Sequence, residues 1–108
     1  TTLPGAHQII EVRSALGKTI RTTYTYFARI CTIKHPELDE PLEKILQTFV
    51  EPTEVWHGGQ DIYLYYARLN HHWLVAVARH LNGDGFLITA YKTHKKKQKG
   101  TIVWPKKR

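Results

Sequence analysis

The stretch GFLITAYKTHKKKQKG, residues 85–100, sets Thr89, Tyr91 and His94 beside Lys92, Lys95, Lys96, Lys97 and Lys99. A hydroxyl and a phenol can position an anion, an imidazole can carry a proton near neutral pH, and ammonium groups can hold phosphates. Together these are the parts of a site that works on a polyanion. Cleaving RNA without a metal asks for four functions. A base takes the 2′-OH proton, a cation or donor faces the charge on phosphorus, an acid protonates the leaving 5′-oxygen, and contacts align the attack. Histidine, lysine and tyrosine can serve as acid or base, and arginine and threonine can hold the phosphate.

Charge order selects the partner. The net charge is +7, no acidic residue follows Asp84, and eight of the sixteen Lys and Arg lie from Lys92 onward. Such asymmetry is the footprint of a nucleic-acid or anionic-membrane binder. A membrane reading needs a basic amphipathic helix, and THKKKQKG shows none. RNA is the expected partner, with no membrane; the plain alternative is a solvated charge run. No apolar run approaches the roughly 20 residues of a membrane span, and the opening TTLPGAHQ lacks the features of a signal peptide. The cytoplasm is the expected location, either the cell's own or one into which a larger toxin or phage protein delivers the chain.

No metal and no cofactor are expected. Cys31 is the lone cysteine, flanked by the apolar RICTI, and reads as a buried thiol. The seven histidines form no HExxH-type pair. His71 and His72 in a hairpin loop, and His57 beside Gly58 and Gly59, read as solvated. Trp56, Trp73 and Trp104 at strand ends read as packing residues.

These side chains need a frame. The 108 residues make one domain, 1–108, with a basic loop at 92–100 and a basic tail at 105–108. IIEVRSALGKTIRTTYTY, broken at Leu16-Gly17-Lys18, suggests an N-terminal hairpin, and YFARICTIK a short helix. Leu38, Leu42, Ile45, Leu46, Phe49 and Val50 form one apolar stripe, with Asp39, Glu40 and Glu43 in the first turns and Pro52 at the far end. That spacing predicts a core-packing helix. From Glu54 the period becomes two: DIYLYYARL, WLVAVARHL, FLITAYKT and TIVW read as strands with short connections. The expectation is α+β, with one or two N-terminal helices packed on a four-stranded antiparallel β-meander and an N-terminal hairpin as an optional addition.

Loop lengths then assign faces, provided no bulge intervenes. Val75, Val77, Phe86, Ile88 and Ala90 should meet the helix. The other side should carry Ala76, Ala78, His80, Thr89 and Tyr91, joined by Tyr66 and Arg68. An open floor of alanines rimmed by Tyr, Arg, His and Thr suits an RNA strand, with tyrosine stacking on bases and arginine on phosphate.

The order of motifs adds a resemblance. RICTIKHPEL, the helix LEKILQTFVEPTEVW, then DIYLYYARL, WLVAVARHL, GFLITAYKT and KGTIVW resemble the small ribonucleases of the barnase–EndoU–colicin–RelE-like fold, in the branch found in phage-encoded and toxin-like proteins. The marks are His35-Pro36-Glu37 entering a helix, Pro52 to Trp56 leaving it, and Thr89-Ala90-Tyr91 on a late strand, within a likeness that covers roughly residues 20 to 105. The resemblance implies a metal-independent endoribonuclease that cleaves by 2′-OH transesterification on an exposed sheet face. It implies His35 as acid or base, Thr89 and Tyr91 as phosphate-positioning groups, and Arg68 as a phosphate clamp. Where the branch commonly has a histidine before isoleucine, this chain has Arg29-Ile30. Arginine is no base at neutral pH, so Arg29 would hold phosphate and His80 or His94 would supply the missing partner. Two other readings stand beside it: a non-catalytic RNA-binding module of the same fold, and a toxin domain neutralised by an acidic antitoxin or immunity protein.

Overall fold

The computed structural model describes residues 9–34, 38–81, 84–95 and 100–105. The described residues begin with two strands, β1 (Ile9–Arg13) and β2 (Thr19–Thr23). Their turn is organised by Ser14, whose Oγ accepts from the amides of Leu16 and Lys18, and by Gly17 at φ 79°. Thr23 then caps α1 (Tyr24–Arg29), its side chain accepting from the Tyr26 amide, and the helix runs on into a π-helical turn, Ile30–Lys34. After α2 (Leu42–Val50) come β3 (Glu54–Gly59), β4 (Ile62–Arg68), β5 (Trp73–Leu81), β6 (Asp84–Thr93) and β7 (Thr101–Trp104).

The seven strands among the described residues form one mixed sheet in the order β1-β2-β6-β5-β4-β3-β7, which corrects the expected four-stranded antiparallel meander. The edge of β6 away from β5 is occupied by β2, running parallel with Ile20 opposite Gly85. The TIVW segment therefore has no place beside β6. It crosses to the far side and pairs antiparallel with β3 as β7. Alternation with period two identifies a strand but carries no information about which neighbour supplies its hydrogen bonds. The hairpin is thus joined to the sheet by a long-range parallel pairing, and the sheet, not the helices, dominates the fold.

The helix α2 starts at Leu42 rather than at Leu38 because Pro41, extended at ψ 159°, is its N-cap. It buries Leu42, Ile45, Thr48 and Phe49, and Phe49 meets Tyr65 edge-on at 4.9 Å. Val50 faces outward.

The expected faces are also corrected. Ala90 meets the helix side as expected, and Thr89 and Tyr91 lie on the other face as expected. But Ala76 and Ala78 join Leu74 and Leu87 in the same buried cluster as the α2 residues, whereas Val75 and Val77 form a separate cluster with Tyr66, packed by Trp56, Trp73, Ile88 and Tyr91. The cause is local. Val77 pairs with Thr89 but Ala78 pairs with Leu87, so Ile88 is an extra residue bulging from β6. Its insertion shifts the inward and outward positions between Leu87 and Thr89, which an unbulged register cannot anticipate. The alanines sit under the helix because their small side chains leave room for Tyr65 and Phe49. Phe86, expected in the core, is 45% exposed.

Candidate nucleic-acid interface

Antiparallel pairing brings chemistry together at one end of the sheet. Trp73 at the start of β5 is opposite both Arg68 at the end of β4 and Thr93 at the end of β6. The β4–β5 loop, closed by the Leu69 amide on the His72 carbonyl at 2.8 Å, therefore lies beside the exit of β6. The residues just before and within α2 add Glu40 and Lys44. Between them is an open groove of about 530 Å³ lined by the cations Lys44, Arg68 and Lys92, by Glu40, and by the imidazoles of His71 and His72.

The ring centroids of His72 and His94 are 4.2 Å apart. Thr93 shapes the turn that carries His94, its hydroxyl donating to the Lys95 carbonyl at 3.0 Å. Partial burial, then the positive surroundings of His94, Lys92 and His71, hold the His72 imidazole below its ordinary pKa, opposed weakly by Asp39. Neutral His72 is thus a proton acceptor at physiological pH, and two touching imidazoles resist carrying two charges at once. Lys92 donates to Asp39 at 2.5 Å. That bond raises the lysine pKa and lowers that of the carboxyl, so both stay ionised. The Arg68 guanidinium lies 5.1 Å from the Trp73 ring centroid, which fixes its carbon while leaving its N–H groups to bind an anion.

Of the residues singled out in the sequence, Arg68 and Lys92 line this groove and His94 reaches its edge through contact with the His72 ring, with Lys95 exposed next to His94. His35, Lys96, Lys97 and Lys99 lie outside the described residues. Thr89, Tyr91 and Tyr66 share the sheet face turned away from α2. Tyr66 is 0% exposed and so presents no ring face for a base in this structure. Tyr91 is half-buried, and that burial raises the pKa of its phenol. The Thr89 hydroxyl oxygen is buried without a hydrogen-bond partner among the described residues. Arg29 is exposed on α1, beside a shallow pocket with Tyr26, Ile30 and Ile33.

His80 belongs elsewhere. It faces the helix side, not an open face, and is 6% exposed. Tyr63 stacks on it at 4.0 Å, and His57 stacks on Tyr63 at 4.5 Å. Tyr65 Oη donates to Ser14 Oγ at 3.0 Å and lies 2.9 Å from His80 Nε2. Burial, then Lys18 and His57, pull the His80 pKa down to about 4. Neutral His80 therefore donates from Nε2 to Tyr65 and leaves Nδ1 without a partner among the described residues. Seven steps along β5 separate it from Trp73, about 23 Å at the usual rise per residue, so His80 is no partner for His94.

Sequence reasoning treated His71 and His72 as solvated turn residues and gave no role to Lys44. The signal for His72 was the meander itself. Where β4, β5 and β6 are antiparallel neighbours, the loop NHH must lie beside the exit THKK. Among the described residues no group of three His, Cys, Asp or Glu side chains could hold a metal ion, and no helix is long and apolar enough to cross a membrane. Comparison with family models, curated proteins and solved structures finds no match to the chain.

Proposed function

We propose that this protein is a metal-independent endoribonuclease whose site is the groove at the end of the sheet. The observation that carries the reading is the His72–His94 pair, 4.2 Å apart, set among Lys44, Arg68 and Lys92. Neutral His72 takes the proton of a ribose 2′-OH, and the freed oxygen attacks the adjacent phosphorus. Arg68 and the lysines face the charge that builds on the phosphoryl oxygens. His94 gives a proton to the departing 5′-oxygen. The products are a 2′,3′-cyclic phosphate and a 5′-hydroxyl. The motif order that resembles barnase–EndoU–colicin–RelE-like ribonucleases points the same way. A cationic rim of this kind also suits an acidic antitoxin or immunity protein, and the substrate would be met in a cytoplasm.

The test is a labelled single-stranded RNA incubated with the purified chain in EDTA, followed by end-group analysis. Cleavage is expected, and none where the 2′-hydroxyls are methylated. His72→Ala is expected to lower the single-turnover rate by about 10²- to 10⁴-fold, with His94→Ala no worse in combination than alone. Tight binding without turnover would leave an RNA-binding module, and intact, unbound RNA would remove both readings.

A further inference from the structure

The groove does not end at its histidines. A second depression of about 220 Å³ runs on between the last turns of α2 and the place where the approach to β3 lies beside the end of β4, and Lys44, Arg68 and Leu69 line both. The two are lobes of one channel that meet at Lys44 and Arg68. The second lobe adds Gln47 from the exposed side of α2 and Glu51 at its C-cap.

Glu51 is oddly placed for stability alone. A helix C-terminus carries partial negative charge and favours cations, yet a carboxylate stands there. No ion pair or side-chain hydrogen bond to Glu51 occurs among the described residues, and the same holds for the Gln47 amide. The neighbouring polar groups are committed: Thr48 donates to the Lys44 carbonyl at 3.0 Å, and Thr53 Oγ accepts from the Arg68 amide at 3.2 Å. An acceptor-only carboxylate and an amide therefore line a lobe whose entrance is held by two cations.

We infer that this second lobe receives the base flanking the bound phosphate and selects bases that carry an exocyclic amine. The inference rests on the proposed RNA reading and adds to it. With a phosphate at Lys44 and Arg68, the adjoining nucleoside enters the lobe edge-first. Glu51 accepts the amine N–H of cytosine, adenine or guanine, and Gln47 bonds a neighbouring ring position. Uracil offers a carbonyl at the corresponding place, which would set oxygen against the carboxylate.

The experiment uses short single-stranded RNAs that differ only in the base on each side of one phosphodiester, with both Kd and cleavage in EDTA measured. The full chain is expected to disfavour uracil on one side by about tenfold. Glu51→Gln can donate as well as accept, and is expected to bring all four bases within about twofold while the preferred RNA is still bound. Gln47→Ala is expected to narrow the preference less. A uracil penalty that persists undiminished in Glu51→Gln, or is absent from the unmodified protein, overturns this inference and leaves the nuclease reading standing. Binding without cleavage overturns the nuclease reading alone, because the Kd profile then decides the lobe. No binding and no cleavage overturns both.

Discussion

His80 shows how a single environment decides what a histidine can do. Stacked on Tyr63 and bonded to Tyr65, it is held neutral, with its pKa drawn from 6.5 to about 4. An imidazole more acidic in the folded state than in the unfolded chain binds its proton preferentially when unfolded. Stability is therefore highest above pH 6.5 and falls as pH drops through the window from 6.5 to about 4. The loss attributable to His80 is on the order of 3 kcal/mol by pH 4. Urea midpoints across that range are expected to decline less steeply in His80→Gln, which has no proton to take up. An equal slope in the two proteins would show that other groups carry the acid sensitivity. His72 differs because its neighbours are cations at an open groove, where a lowered pKa leaves a base accessible to substrate.

At the scale of elements, β6 does the most positioning. It joins the parallel strand β2 to the antiparallel run β5-β4-β3, and its bulge at Ile88 re-aims Thr89 and Tyr91. The start of the strand is closely packed. A Cβ on Gly85 would stand 2.7 Å from Ile20 Cδ1 and 3.0 Å from the Arg79 carbonyl oxygen. Gly85→Ala is expected to cost about 1–3 kcal/mol, as overpacking does, read as a lower urea midpoint. The groove lies at the opposite end of β6, so RNA affinity below the unfolding transition is expected to be unchanged. The apolar stripe Leu42, Ile45, Phe49 is legible in the order of residues, since it repeats at helical spacing. The bulge is not, because it depends on which residues of two strands end up opposite one another.

Across the whole molecule, charge is segregated by position in the chain and then gathered by the fold. Lys92 belongs to the basic end of the chain, but Lys44 and Arg68 reach its groove only through α2 and the β4–β5 hairpin. Salt dependence should count these contacts. The logarithm of the RNA association constant is expected to fall linearly with the logarithm of salt concentration. Arg68→Ala is expected to make that slope shallower by about 0.7, the contribution of one single-strand phosphate contact. Arg79→Ala, on the exposed outer face near the opposite end of β5, should leave it unchanged. A slope identical in all three proteins would detach Arg68 from the phosphate path.

By itself the chain's order of residues determined the period-two segments that became β4, β5 and β6, the buried stripe of α2, and a cationic end that follows Asp84. Each is a property of neighbouring residues, set by side-chain repeat or by charge count, and survives without knowledge of the fold. Only the tertiary structure decided that β7 pairs with β3, that β2 joins β6 in parallel, and that Ala76 and Ala78 face the helix. Those outcomes depend on hydrogen bonds between distant segments and on one inserted residue, and a shift of one position in a strand exchanges its two faces. The meeting of His72 with His94 belongs to the same class, because it exists only once β4, β5 and β6 are in register.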